Sequence, residues 1–231
     1  MKELTKLCKL NNINFSEKYE NNFSQFFNDL IYYNNMFNLT AITEKNEVII
    51  KHFLDSIYPE KYIPKNASVI DIGAGAGFPS LPLKIVREDL NLTMLDSLNK
   101  RVNFLNNMVE KLDLKNAFAI HSRAEDYAIK NREKFDIAIA RAVANLSTLS
   151  EYCLPFVKVG GTFIAMKGGS CEEEINNAKL AIKTLGGKID KVEEYNLEGN
   201  SRTIIIIKKI MPTPNKYPRG KNFPKTKPIG E

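Results

Sequence analysis

Val69-Ile70-Asp71-Ile72-Gly73-Ala74-Gly75-Ala76-Gly77-Phe78-Pro79 is the stretch on which the reading of this chain turns. Residues 68–72 form a short, apolar, β-branched run, as a parallel strand buried on both faces requires. Three glycines at alternate positions end it, which allows a sharp turn and a close approach of backbone to ligand. From Phe78-Pro79 a helix is expected, with Leu81, Leu83, Ile85 and Val86 on its apolar face and Pro79 and Pro82 in its first turn. The unit is strand, glycine turn, helix. Free N–H groups and the positive helix end are expected to favour an anion there.

A dinucleotide fingerprint would carry glycine where this chain has Phe78. The spacing Gly73-x-Gly75-x-Gly77 is the looser form common among proteins that bind S-adenosylmethionine, whose anion is a carboxylate rather than a pyrophosphate. Residues 92–95 read as the next strand, and Asp96 closes it about twenty residues beyond the glycines, where a carboxylate accepts ribose hydroxyls. Together Asp71, Gly73, Gly75 and Asp96 point to a nucleoside-bearing cofactor.

The chain has 231 residues, 43% of them hydrophobic, enough for one well-buried domain with an extension. Residues 1–10 lack the apolar segment of a signal peptide, and the longest apolar run, 204–207, is far too short to cross a membrane. Cys8, Cys153 and Cys171 are scattered and odd in number, so neither a metal site nor a disulfide framework is expected, and the compartment is expected to be the cytoplasm. The net charge of +6 suits a polyanionic partner. Much of it is concentrated at the end: Lys208, Lys209, Lys216, Arg219, Lys221, Lys225 and Lys227 are opposed only by Glu231.

Residues 1–66 read as helical. Ser16 is suited to cap a helix whose Tyr19, Phe23, Phe26, Phe27, Leu30, Ile31 and Tyr33 recur at helical spacing, a stripe read as core rather than as a base-stacking surface. Asn34, Asn35 and Asn38 break that pattern. Thr43 precedes a further helix carrying His52, which is read as structural or solvated. From residue 67 strands and helices alternate, the sign of a doubly wound sheet. Further strands are expected at 117–120, 135–140, 161–166, 188–194 and 202–208, the last two pairing antiparallel around Asn200-Ser201. Helices are expected at 98–112, 146–156 and 172–185. Seven strands in this order give an α/β fold, Rossmann-like with a mostly parallel sheet, of the class I S-adenosylmethionine-dependent methyltransferase type. Ligands of such sheets lie outside the carboxyl ends of the strands, which singles out Asp71 with Gly73, Asp96, Ala124 with Glu125, and Arg141. Ala124-Glu125 suits contact with adenine, and Arg141 suits the cofactor or an RNA phosphate or base.

Beyond these features, the chain resembles the bacterial small-subunit ribosomal RNA methyltransferase G family, formerly called glucose-inhibited division protein B. The resemblance rests on Asn38-Leu39-Thr40, Lys51-His52-Phe53-Leu54-Asp55-Ser56, the glycine turn, the run from Leu95-Asp96 through Lys100-Arg101 to Leu105, Ser122-Arg123-Ala124-Glu125, Ala140-Arg141-Ala142-Val143-Ala144, Lys167-Gly168 and Tyr217-Pro218-Arg219. It implies methyl transfer from S-adenosyl-L-methionine to N7 of a guanine in a decoding-centre loop of 16S rRNA, with S-adenosyl-L-homocysteine as product and no metal. It places the cofactor contacts on Gly73, Phe78, Ala124, Glu125 and Arg141. The organisation expected is a helical extension (1–66) packed on a methyltransferase domain (67–210), then a basic tail (211–231). The tail reads Arg219-Gly220-Lys221-Asn222-Phe223-Pro224, where the family often has a more compact proline-lysine-glycine pattern.

Guanine N7 loses no proton on methylation, so the implied reaction needs neither a general base nor a covalent nucleophile. The chain has Ala140-Arg141-Ala142 where exocyclic-amine methylases carry Asn/Asp-Pro-Pro-aromatic, and Cys153 reads as core rather than as a nucleophile. Arg141 is assigned the positioning role. Contact with 16S rRNA, or with the 30S subunit, is expected from Lys100, Arg101, Arg123, Arg219 and Lys221, by a monomer. Three other readings stand beside this one: a nicotinamide-dependent oxidoreductase, a ribosome-assembly factor without turnover, and a small-molecule methyltransferase.

Overall fold

The computed structural model describes residues 1–230; Glu231, counted above as the tail's opposing acid and as the last residue of the expected 211–231 segment, lies outside the described residues. Seven strands, β1 (Ser68–Ile72), β2 (Asn91–Asp96), β3 (Ala117–His121), β4 (Phe135–Arg141), β5 (Val157–Gly168), β6 (Gly187–Leu197) and β7 (Asn200–Lys209), form one sheet in the order β3-β2-β1-β4-β5-β7-β6. β1 to β5 are parallel, and β7 enters antiparallel between β5 and β6. The switch in strand order lies between β1 and β4. Asn200 and Ser201 are not the hairpin turn; they are paired residues of β7, and Glu198-Gly199 turns the chain with φ of 49° and 81°. Two consecutive positive φ values suit the twist of a two-residue hairpin.

The period of two along each strand divides the interior into two layers. Val69, Leu92, Met94, Ile137, Ile139, Ile204 and Ile206 face one side, which is covered by α5 (Ser80–Val86), α6 (Asn99–Lys111) and the N-terminal helices. Ile70, Ile72, Leu95, Ala138, Phe163, Ile205 and Ile207 face the other, covered by α7 (Ala124–Asn131), α8 (Leu146–Cys153) and α9 (Glu172–Thr184). The run of four isoleucines is thus β7, buried on both faces. The short α7 is absent from the sequence reading: only its Glu125 and Ala128 are buried, too few to show a period.

Among the N-terminal helices are α1 (Lys2–Leu10) and α2 (Glu20–Phe37). The Ser16 hydroxyl accepts the Lys18 N–H (3.4 Å) and opens a 3₁₀ turn that leads into α2. Asn34 and Asn35 stay within α2; Asn38, at φ 51°, caps it. The aromatic stripe is core: Phe23 lies 5.0 Å from Phe53 and Phe26 5.3 Å from Phe78, centroid to centroid. The Glu44 carboxylate caps α3 (Lys45–Glu47), just after Thr43. The chain continues as a π-helix, Val48–Leu54, and then α4 (Asp55–Ile57). A π-turn in the middle of a helix is uncommon and favours functional positions.

Among the described residues, the segment after β7 is anchored to the domain at several points, though most of its residues are exposed. The Lys209 ammonium, inside the protein, donates to the Leu154 carbonyl (2.6 Å), the Val157 carbonyl (3.1 Å) and the Thr213 hydroxyl (2.8 Å). Tyr217 is buried against the second layer. Arg219 binds the buried Glu151 carboxylate through its backbone N–H (2.7 Å), Nε (2.9 Å) and a terminal nitrogen (2.7 Å). The short α10 (Phe223–Thr226) follows, held to α8 where the Thr148 hydroxyl donates to the Pro224 carbonyl (2.7 Å). Removing one partner of an enclosed ion pair strands the other charge. Arg219→Ala should therefore lower unfolding stability by about 2–3 kcal/mol, somewhat less than the ~3–5 of a fully buried pair because the guanidinium keeps some exposure, readable by urea denaturation.

Asp71 sits within β1 beneath the glycine turn with no exposed surface. Burial pushes its carboxyl up to about 7, against the opposing influence of Ser80 and Arg141, and neither Asp71 oxygen reaches a partner in hydrogen-bond geometry. A carboxyl whose folded pKa is raised stabilises while protonated and loses that contribution as pH rises from about 4 to about 7. Asp71→Asn should thus gain stability relative to the parent across that interval, more at pH 8 than at pH 5, measured as the difference in thermal midpoints.

Candidate cofactor and substrate site

The glycine turn is braced by the end of β2. The Leu95 carbonyl accepts the N–H groups of Gly73 (2.8 Å) and Ala74 (3.1 Å), and the Asp96 carboxylate accepts those of Gly75 (2.9 Å) and Leu98 (2.9 Å). The N–H groups of Gly77 and Phe78 go to the Ala74 carbonyl (2.8 and 3.2 Å). The expectation of free N–H groups is therefore corrected: these five turn amides are already bonded, because the turn folds onto β2. Gly73, at φ 75°, adopts a backbone conformation that side chains disfavour, and a Cβ there would press on the Val143 side chain at 2.9 Å.

A cavity of about 150 Å³ opens at this carboxyl edge. Gly73, Asp96, Arg123, Ala124, Glu125, Val143, Tyr152 and Asn222 are among its walls. Four residues expected from strand ends thus meet: Gly73, Asp96, Ala124 and Glu125. Ala124 and Glu125 arrive on the first turn of α7, not on a loop. Glu125 is buried, with Arg123 at 3.3 Å. Asp96 retains a second lone pair on each oxygen and has Arg101 at 3.6 Å, so its carboxylate still has places for two hydroxyls. Asp71, Gly75 and Phe78 are not on these walls: Asp71 is buried within β1, Gly75 is held in the turn by Asp96, and the Phe78 ring is stacked on His52.

Arg141 is turned to a neighbouring cavity of about 330 Å³, shared with Lys51, His52, Asp55, Lys167 and Arg202. Its guanidinium is not a surface ion pair. One nitrogen donates to the Asp55 carboxylate (3.0 Å) and to the Lys51 carbonyl (3.1 Å), the other lies 3.2 Å from His52 Nδ1, and the Phe78 ring is 5.1 Å away. Nδ1 also lies 3.2 Å from the Lys51 carbonyl, and Nε2 lies 2.8 Å from the Thr40 hydroxyl, so both ring nitrogens have hydrogen-bond partners. Burial, then the charge of Arg141, lowers His52 to about 3, with Arg202 and Lys51 adding to this and the Lys51 carbonyl opposing it. His52 is neutral, engaged at both nitrogens and stacked on Phe78 at 4.4 Å. It is built to hold the arginine rather than to act as a base. Asp55 also accepts from the Tyr195 hydroxyl (2.8 Å) and has Arg202 at 3.5 Å.

His52, read above as structural or solvated, is thus beside Arg141. Asp55, Tyr195 and Arg202 are not site candidates from sequence, because β6 and β7 reach this place only through the sheet. Of the residues expected at RNA, Lys100 and Lys221 are exposed. Arg101 faces Asp96, Arg123 donates to the Asn222 side chain (2.6 Å), and Arg219 is bound to Glu151. A larger open hollow of about 780 Å³ by Glu172, Glu173 and Glu174 contains none of the strand-end candidates.

Comparison with known proteins agrees with this geometry. Solved structures of similar fold include a SAM-dependent methyltransferase from Aquifex aeolicus (TM-score 0.54, 18% identity, 71% of this chain and 93% of that one). Another is TYW2 of M. jannaschii in complex with AdoMet (TM-score 0.53, 16% identity, 68% and 77%). At this identity they bear on the fold. Ribosomal RNA small subunit methyltransferase G of Clostridium botulinum is 47% identical over 98% of this chain and 97% of its own length, and that of Bacillus cytotoxicus 50% identical over 94% and 93%. The family model for rRNA small subunit methyltransferase G matches residues 19–205. With its seven-stranded class I fold, this chain belongs to the rRNA small subunit methyltransferase G family.

Proposed function

We propose that this chain transfers the methyl group of S-adenosyl-L-methionine to N7 of a guanine in the decoding-centre loop of 16S rRNA, within the 30S subunit, and releases S-adenosyl-L-homocysteine. The observation that carries the reading is the meeting of Gly73, Asp96, Ala124 and Glu125 around one cavity, next to an arginine held by Asp55, in a chain of this family. The walls fit an adenosyl group. Asp96 has lone pairs for ribose hydroxyls, Glu125 offers an acceptor for the adenine amino group, and Gly73 presents bare backbone. When bound, the cofactor supplies an electrophilic sulfonium methyl.

What the protein contributes is alignment. N7 attacks with an existing lone pair, so the site has no proton to remove, which agrees with a histidine engaged at both nitrogens. Arg141, held by Asp55, the Lys51 carbonyl and His52, fixes a planar donor array in the second cavity; in this reading it orients the target nucleotide. Lys100, Arg101 and Lys221 supply phosphate contacts around the opening.

The test is methyl transfer from labelled S-adenosylmethionine to 30S subunits lacking the modification, with the labelled base mapped by borohydride–aniline cleavage. One labelled guanine is expected; absence of label despite cofactor binding would sink the proposal. Arg141→Ala should lower kcat by about 100-fold, the order found when one positioned donor is lost, and Arg141→Lys should not restore it. In RNA binding, Lys100→Gln and Lys221→Gln should each reduce the slope of log K against log salt by about 0.7. Arg219→Gln should leave that slope unchanged.

A further inference from the structure

Residues 206–230 lie outside the stretch that the family model matches (19–205), yet Asn222 among them reaches the cofactor cavity. Three fixings bring them there: Tyr217 packed into the second layer, Arg219 on Glu151, and the Pro224 carbonyl on Thr148. Between the last two stands Asn222, at φ 59°, one of the residues lining the cavity. Its side-chain oxygen accepts from Arg123 at 2.6 Å, and the same Arg123 nitrogen lies 3.3 Å from Glu125. Arginine only donates, so this bond settles which way the amide faces: its oxygen is on Arg123, and its NH₂ is the group left to offer.

We propose that Asn222 is a base-recognition residue of the cofactor site, reading adenine together with Glu125. This rests on the reading that the cavity takes the adenosyl group. Adenine presents an amino donor beside ring-nitrogen acceptors. Glu125, an acceptor, answers the amino group; the Asn222 NH₂, a donor, answers ring N1 beside it. Guanine or hypoxanthine would set a carbonyl oxygen against Glu125 and a ring N–H against the Asn222 donor, a mismatch at both positions. The C-terminal segment is in this way part of the cofactor site as well as part of the basic surface. Lys221 adjoins Asn222, so RNA phosphates on the tail and cofactor in the cavity act on the same few residues, and coupling between the two ligands is reciprocal.

Two substitutions at Asn222 separate recognition from folding. Asn222→Gly keeps the left-handed backbone without strain and removes the amide. Asn222→Asp keeps the shape and the bond to Arg123 but replaces the donor by an acceptor. S-adenosylhomocysteine is the probe, titrated by calorimetry into the full chain, with Glu125→Gln as a reference. Asn222→Gly should weaken binding about 5-fold, as loss of one neutral hydrogen bond implies, and Asn222→Asp at least as much, with the ligand-free thermal midpoint of Asn222→Gly unchanged. Affinity within about 2-fold of the parent for both Asn222 variants, while Glu125→Gln weakens it, would overturn the role of Asn222 and leave the cavity reading standing. If Glu125→Gln were equally silent, the cavity reading would fall as well.

Discussion

The end of β2 is the constraint on which the rest of the site depends. One carbonyl, of Leu95, and one carboxylate, of Asp96, hold three successive N–H groups of the glycine turn. A backbone segment passing through positive φ at Gly73, Gly75 and Gly77 has no regular ladder to enter, so its buried polar groups require fixed partners nearby. β2 supplies them because it is the parallel neighbour of β1, in register from Ser68↔Asn91 to Ile72↔Leu95. The rim of the sheet thereby becomes a fixed surface against which α7 and the loop after β4 set their side chains. Asp96 also shows why an acidic strand end need not be a ligand contact alone: it braces the turn and retains capacity for a ligand.

The second wall comes from elsewhere in the chain. The π-helical stretch and α4 deliver the Lys51 carbonyl, His52 and Asp55 to Arg141, while β6 and β7 bring Tyr195 and Arg202 to the same carboxylate. A guanidinium this enclosed has its charged form disfavoured by burial, and Asp55 works against that effect. The neutral His52 completes the enclosure without adding charge. Phe78 links the walls, with its ring against His52 and near Arg141, and its backbone in the turn.

The architecture was legible in the sequence because parallel strands buried on both faces are continuous apolar runs, and helices between them announce the crossovers. Ile204 to Ile207 and Val69 to Ile72 needed little else. The hairpin turn was displaced by two residues because Asn200-Ser201 has turn chemistry, whereas the backbone turns at Glu198-Gly199. The π-helix left no trace in the pattern, since its register follows from packing Phe53 among Phe23, Phe26 and Phe78. Of the site, the strand-end residues were legible and the partners of Arg141 were not: Asp55 is eighty-six positions away in sequence, and Arg202 belongs to a strand inserted late. The expectation of free turn amides was wrong for one reason. Polar groups that look available in a sequence are claimed by neighbours once the chain closes on itself.

The segment that returns through Tyr217 and Arg219 has a bearing on how the pocket holds together. Glu151, in α8, holds Arg219, and Asn222 follows three residues on. One face of the cavity therefore depends on a contact made outside it, and the pocket is complete only when the segment beyond β7 is docked on α8.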